Sequence, residues 1–287
     1  MARFCYNIAE WWHLLGMDAP TVAIVWSWFF ARAMRLQIPP AAPLILGIVT
    51  WLFYAADRIL DGLRPEHPEQ LRERHLFQAR HRGRFLLAAI LLSAFSIWMM
   101  FHRMYRRTLT DDLFLSIFAL LYFSIVHLAS NFVRARKEQW LPKELAVGAI
   151  FGAATAIPAW SRLGVISNIT RAWLVEAVVL FGLLCWINCV AIEKWEAGNR
   201  GTGSVHISTR WAAQHLAEIA VGLGAMSVAA AWLAPTQGLM ALYLASLFSS
   251  GLLLGLDRRR SQFSPLTLRI AADAALLTPV AFLPILR

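Results

Sequence analysis

The chain is poor in charge and poor in cysteine. Of its 287 residues only 15% are charged, against 59% hydrophobic. A water-soluble domain of this length needs far more polar surface, so that class is excluded, as is a disordered polar chain. Three cysteines, Cys5, Cys185 and Cys189, are too few for a disulfide scaffold. Cys185 and Cys189 stand one helical turn apart in an apolar stretch, with no Cys or His at metal-ligand spacing, and read as small core residues rather than zinc ligands. Acid is the scarcer charge: 17 Asp and Glu face 27 Lys and Arg, a net charge of +10. No soluble stretch interleaves those bases with aromatics, which argues against a nucleic-acid partner. The excess is read as membrane topology and attraction to anionic lipid. The N-terminus also lacks the charged region, short apolar core and small-residue cleavage site of a signal peptide. Residues 1–18, with Trp11 and Trp12, read as a retained interfacial helix.

Long apolar runs are what the chain has in abundance. A bilayer core takes roughly 20 mostly apolar residues per helix. Segments near 19–36, 40–60, 84–101, 112–131, 143–160, 171–192, 210–234, 238–256 and 265–286 qualify. The expected fold is all-α: a polytopic bundle of nine transmembrane helices in one integral-membrane domain over 1–287. The turn signal from Ala234 to Gly238 makes spans 7 and 8 a tight hairpin. With the N-terminus inside, the loops after spans 2, 4, 6 and 8 hold, with Arg3, about 18 of the 27 basic residues. Those loops are therefore expected in the cytoplasm, in the manner of a bacterial inner-membrane protein. Residues 57–84 form a loop or cap there, with His75 and His81 on its basic stretch.

The stretch FYAADRILDG, residues 53–62, sets charge at the end of span 2. On a helix Tyr54, Asp57 and Asp61 share a stripe, with the two aspartates roughly 5–6 Å apart at Cβ. Carboxylates that close repel unless a cation sits between them, and each ionisable group within a span costs about 2.5–3.5 kcal/mol. Two readings stay open: the aspartates reach into the hydrated boundary with Arg58 as their partner, or they bind a divalent cation. Span 6 ends in a similar set, Asn188, Glu193 and Glu196, and the stretch starting at Trp186 echoes the one starting at Trp51, pairing Asp61 with Glu196. In span 9, Arg269 and Asp273 stand at i,i+4 and can neutralise each other, while Asp257, before three arginines, reads as a solvated helix end. Basic residues crowd the same face: Arg64, Arg72, Arg74, Arg80 and Arg82 after span 2, and Arg134, Arg136, Lys137 and Lys143 between spans 4 and 5. Paired acids beside arginines suit a magnesium–diphosphate site, because Mg²⁺ takes one or two carboxylates plus phosphate oxygens and arginine binds the remaining oxygens bidentately.

The segment Ala56-Asp57-Arg58-Ile59-Leu60-Asp61-Gly62 resembles the second half of the first aspartate-rich motif, N-D-x-x-D-R-x-x-D-G, of the UbiA superfamily of intramembrane prenyltransferases. Nine spans with acidic ends on spans 2 and 6 are similar to that family's architecture, and Arg136-Lys137 precede Pro142 at the family's spacing. The chain departs from the pattern where Phe53-Tyr54 replace the opening Asn-Asp, and where span 6 offers Asn188, Cys189, Ile192 and Glu196 in place of N-D-x-x-D-x-x-x-D.

The resemblance implies transfer of an isoprenoid chain from a prenyl diphosphate to a lipophilic, aromatic acceptor within the membrane. It assigns Asp57, Asp61, Glu193 and Glu196 to catalysis, with Mg²⁺ on Asp57, Asp61 and Glu196. Arg58, Arg64, Arg136, Lys137 and Asn188 would bind diphosphate, and Trp51, Phe53, Tyr54 and Trp186 would line the prenyl-chain cavity. Two alternatives stand beside it: a terpene cyclase of the same superfamily, which needs the diphosphate site but no acceptor, and a silent isoprenoid- or lipid-binding protein, which the reduced acid set favours.

Overall fold

The computed structural model describes residues 7–62, 73–103, 110, 113, 143–163, 168–197 and 206–286. Every regular element among them is helical. In chain order the α-helices are α1 (Ile8–Leu14), α2 (Asp18–Ala33), α3 (Ala41–Gly62), α4 (Glu73–Arg80), α5 (Arg82–Arg103), α6 (Lys143–Leu163), α7 (Asn168–Ala197), α8 (Ile207–Gln214), α9 (Leu216–Leu233), α10 (Gln237–Arg258), α11 (Pro265–Ala275) and α12 (Pro279–Phe282). Among the described residues, seven segments are long and apolar enough to cross a bilayer: α3, α5, α6, α7, α9, α10 and the stretch Pro265–Phe282. The bent pair of α1 and α2, turned through 92°, makes an eighth if it counts as one span. This is an all-helical integral-membrane chain. Of the nine expected spans, the fourth (112–131) lies outside the described residues except for Leu113.

Two expected spans are broken, and each break has a physical cause. Span 7, expected over 210–234, divides at His215. Arg210, Gln214 and His215 are poorly suited to hydrocarbon, so the apolar helix begins at Leu216. Span 9 divides after Ala275 because Pro279 lacks an N–H and disfavours helix in the residue before it. One carbonyl freed at that break, Leu276 O, finds a side-chain donor. The Trp26 indole donates to Leu276 O at 2.8 Å, and the Thr278 hydroxyl donates to Ala245 O at 2.8 Å while lying 2.7 Å from Ser249 Oγ.

The chain divides into two compact units. The first comprises residues 1–24 and 39–104, the second residues 25–38 and 105–287.

In the first unit α3 packs against α4 and α5, and α1 against α4. Trp51, Ala55 and Phe85 form its apolar centre with Leu52, Ile59 and Phe77, and the Trp51 and Phe85 rings lie parallel at 6.0 Å. Helix α1 opens on a capping box between Asn7 and Glu10. It closes on a Schellman turn, in which Gly16 N–H donates to His13 O and Met17 N–H to Trp12 O, both at 3.0 Å. Gly16 has φ +76°, and a Cβ there would lie 2.8 Å from Arg58 Nη1, so glycine is required on two counts.

In the second unit α7 is the hub, with α6, α8, α9, α10 and α11 packed around it. Its seam with α6 is made of small residues. A Cβ on Gly148 would lie 2.6 Å from Gly182 O, and one on Gly152 would lie 3.0 Å from Gly182 Cα. Gly148 and Gly152 stand four apart, the spacing that lets membrane helices meet backbone to backbone. Deeper in the unit, Trp26 stacks on Phe181 at 4.0 Å, with Phe30 against both rings.

Overpacking a tight seam costs about 1–3 kcal/mol. Gly148→Ala is therefore expected to lower the thermal unfolding midpoint of the detergent-solubilised chain, whereas Gly222→Ala, with open space around its Cβ position, should leave it unchanged or raise it. Equal midpoints for the two variants would show that the α6–α7 seam is not backbone-tight.

Candidate functional site

The first acidic set rides on α3. The helix runs unbroken through Gly62, so Tyr54, Asp57 and Asp61 keep the register that puts them on one stripe. Asp57 is half-buried; the side chain of Asp61, and all of Arg64, Arg136 and Lys137, lie outside the described residues.

Arg58 is only 4% exposed and turns inward on the first unit. Its Nη1 donates to His13 O at 3.4 Å, and its guanidinium lies 5.9 Å from the Tyr54 ring centroid. Two other side chains finish the same task at the end of α1. Gln78 Nε2 donates to Leu14 O at 3.4 Å, and Trp51 Nε1 to Leu15 O at 2.9 Å. The last carbonyls of a helix have no partner within it and carry the negative end of its dipole, so a cation and two amide or indole donors suit them. His13, buried beside them, sets Nδ1 2.7 Å from Asp18 Oδ2 and ties α1 to the start of α2. Of the aromatics assigned to the cavity, Trp51 is 8% exposed and locked by its hydrogen bond, whereas Phe53, Tyr54 and Trp186 are half-buried.

The second set rides on α7, and α11 holds it. Asn188 Nδ2 donates to Asp273 Oδ1 at 3.1 Å, and Arg269 Nη1 donates to Glu196 Oε1 at 2.8 Å. Residues eight apart on α7 thus meet residues four apart on α11 in an antiparallel two-rung ladder. The expected self-neutralising use of Arg269 and Asp273 is corrected here: each reaches across to α7. Both side chains of the Arg269–Glu196 pair are mostly buried, at 15% and 12% exposure. Asn188 is buried, and its Oδ1 has no hydrogen-bond partner among the described residues. A carbonyl oxygen there suits a hydroxyl or a metal-bound water better than a phosphate oxygen, since it can only accept. Glu193 is half-buried.

A third polar cluster was misread from sequence. Asp257 is 9% exposed rather than solvated. It accepts from the Trp195 indole at 2.8 Å, Lys194 Nζ at 2.9 Å and Arg260 Nη1 at 3.3 Å. The following arginines suggested a hydrated end; the signal that could have found the cluster was Lys194-Trp195, two donors adjacent at the close of α7. Nearby on α6, Glu144 accepts from the Thr209 hydroxyl of α8 at 2.7 Å.

The acids of α3 belong to the first unit, and those of α7 to the second. On α3, Asp57 and Asp61 stand four residues apart on one helix, and both are carboxylates, the ligand type a hard divalent cation takes. On α7, Glu196 is already charge-paired with Arg269 through Oε1. No family model, curated protein or solved structure matches the chain.

Removing one partner of a buried pair leaves an uncompensated charge. Arg269→Gln is therefore expected to destabilise the chain by about 3–5 kcal/mol, while Arg269→Gln combined with Glu196→Gln costs less than Arg269→Gln alone. Thermal unfolding of the unmodified chain, Arg269→Gln, Glu196→Gln and the double variant in one detergent reads the cycle; a double variant whose loss equals the sum of the singles would mean the two side chains do not interact.

Proposed function

We propose that the chain is a divergent member of the UbiA superfamily that moves an isoprenoid chain from a prenyl diphosphate to a lipophilic, aromatic acceptor. The observation that carries this reading is Ala56-Asp57-Arg58-Ile59-Leu60-Asp61-Gly62 standing on an uninterrupted membrane-crossing helix, so that Asp57 and Asp61 stand four residues apart on its backbone where the helix ends. Nine spans, with the fourth over 112–131, and a site on the cytoplasmic face of a bacterial inner membrane belong to the same proposal.

Asp57 and Asp61 would hold Mg²⁺, which when bound supplies charge neutralisation to the departing diphosphate. Arg64, Arg136 and Lys137 remain the residues proposed to hold the outer diphosphate oxygens. Arg58 is assigned differently: its contacts at the end of α1 make it the part that fixes α3 beside α1, so it orients the aspartates rather than gripping phosphate. Phe53 and Tyr54 would offer aromatic faces to a developing allylic cation, with the prenyl tail between helices.

One observation favours the silent-relative reading. Glu196, the single acid of α7 in register with the family motif, is in an ion pair with Arg269, which reduces the charge available to a second metal. A single Mg²⁺ on α3 is the form of the active site consistent with that pair.

The test is magnesium-dependent binding of a non-hydrolysable farnesyl diphosphate analogue to the purified chain. Asp57→Asn with Asp61→Asn is expected to weaken binding on the order of a hundredfold, and chelation of Mg²⁺ to do the same to the unmodified chain. Binding that ignores both metal and substitution would replace the enzyme with the silent isoprenoid-binding reading.

A further inference from the structure

Helix α1 does not continue the line of α2 but leaves it at 92°. Its C-terminal carbonyls are gripped by Arg58, near the end of α3, and by Gln78 of α4. Helix α5, which packs on α3, begins at Arg82. Within the first unit, then, α1, α4, the end of α3 and the start of α5 lie together, with α1 turned across the start of α2.

The outer surface of this group has a definite chemistry. Ile8, Trp11 and Trp12 of α1 and Leu76 of α4 are exposed although apolar. The Trp11 ring meets Phe77 edge-on at 5.8 Å, so the two short helices form one shelf. Beside it Arg80, Arg82 and Arg84 are all exposed, and none takes part in the ion pairs found among the described residues. Immediately after Arg84 the exposed side chains of α5 turn apolar, with Leu86, Leu87, Ile90 and Leu91. The boundary between headgroups and hydrocarbon is thus written into α5 between residues 84 and 86, and the three guanidinium groups fall at headgroup level. Tryptophans beside basic residues on a helix lying in the interface are what binds an anionic bilayer surface.

We propose that the α1–α4 shelf, with Arg80, Arg82 and Arg84, is a docking surface for the anionic phospholipid headgroups of the surrounding membrane. The apolar exposure flanking the arginines commits the surface to lipid, since a free phosphate ion gains nothing from Trp12 or Leu76. Headgroups bound there hold α1 flat, and α1 in turn is what Arg58, next to Asp57, is fastened to. The proposal does not depend on the transferase reading.

The full chain is reconstituted in nanodiscs of phosphatidylcholine alone or with phosphatidylglycerol, and amide hydrogen exchange is followed over peptides spanning 8–15 and 76–85. Phosphatidylglycerol is expected to slow exchange in both by at least roughly tenfold at low salt, and less at high salt. Arg80→Gln/Arg82→Gln/Arg84→Gln should abolish that slowing. Arg258→Gln/Arg259→Gln, which removes an exposed basic pair elsewhere, should retain it. Unchanged protection of the α7 and α10 peptides checks that the triple variant is folded. Protection indifferent to phosphatidylglycerol, retained by the triple variant, or reproduced in phosphatidylcholine by inorganic phosphate would overturn the proposal.

Discussion

A backbone carbonyl in hydrocarbon has no water to fall back on, so each place where a helix stops within or beside the bilayer must bring its own donors. Most of the unusual contacts in this chain answer that one demand. At the close of α1 three successive carbonyls accept from Arg58, Gln78 and Trp51. At the break before Pro279 the Leu276 carbonyl accepts from Trp26, and Thr278 bonds back to α10. Buried charge obeys the same rule: Asp257 has three donors, and Glu196 has Arg269.

This demand reaches the residues that look functional. Arg58 stands in the middle of the aspartate motif, yet its guanidinium is occupied in closing α1, with Gly16 kept bare to admit it. Trp51 looks like a cavity aromatic by position, but its indole N–H is spent on Leu15 and its ring on Phe85. Motif and scaffold share residues here: Arg58, next to Asp57, holds the end of α1. The α7 set is coupled differently. There the polar stripe is matched rung for rung by α11, so its charge balance is set by a helix that the motif does not include.

Each unit uses a different means of holding itself together. The first relies on side-chain donors and a parallel aromatic pair around short helices. The second brings backbones into contact at Gly148, Gly152 and Gly182, then fills the remaining space with Trp26, Phe30 and Phe181. Close backbone approach needs no directional bond and suits long helices; the short α1, too brief to be stable alone, needs the specific grip it receives.

Composition alone determined that this is a helical membrane chain, because apolar runs of about 20 residues leave few other structures open to the backbone. The same one-dimensional signal placed α3, α5, α6, α7 and α10 to within a few residues, and the stripe of Tyr54, Asp57 and Asp61 followed from helical spacing. The partners of the charged residues were decided only by tertiary structure. Arg269 and Asp273 are near each other in sequence, and local spacing made them a pair. Packing of α11 on α7 instead offered Glu196 and Asn188, and in a low-dielectric interior the nearer, better aligned partner wins. Asp257 was hidden for the same reason: its donors on α7 lie some 60 residues away. Periodicity reports which face of a helix is polar. Which neighbour that face meets is settled when the helices pack, and in this chain that meeting fixes the work of Arg58, Glu196 and Asp257.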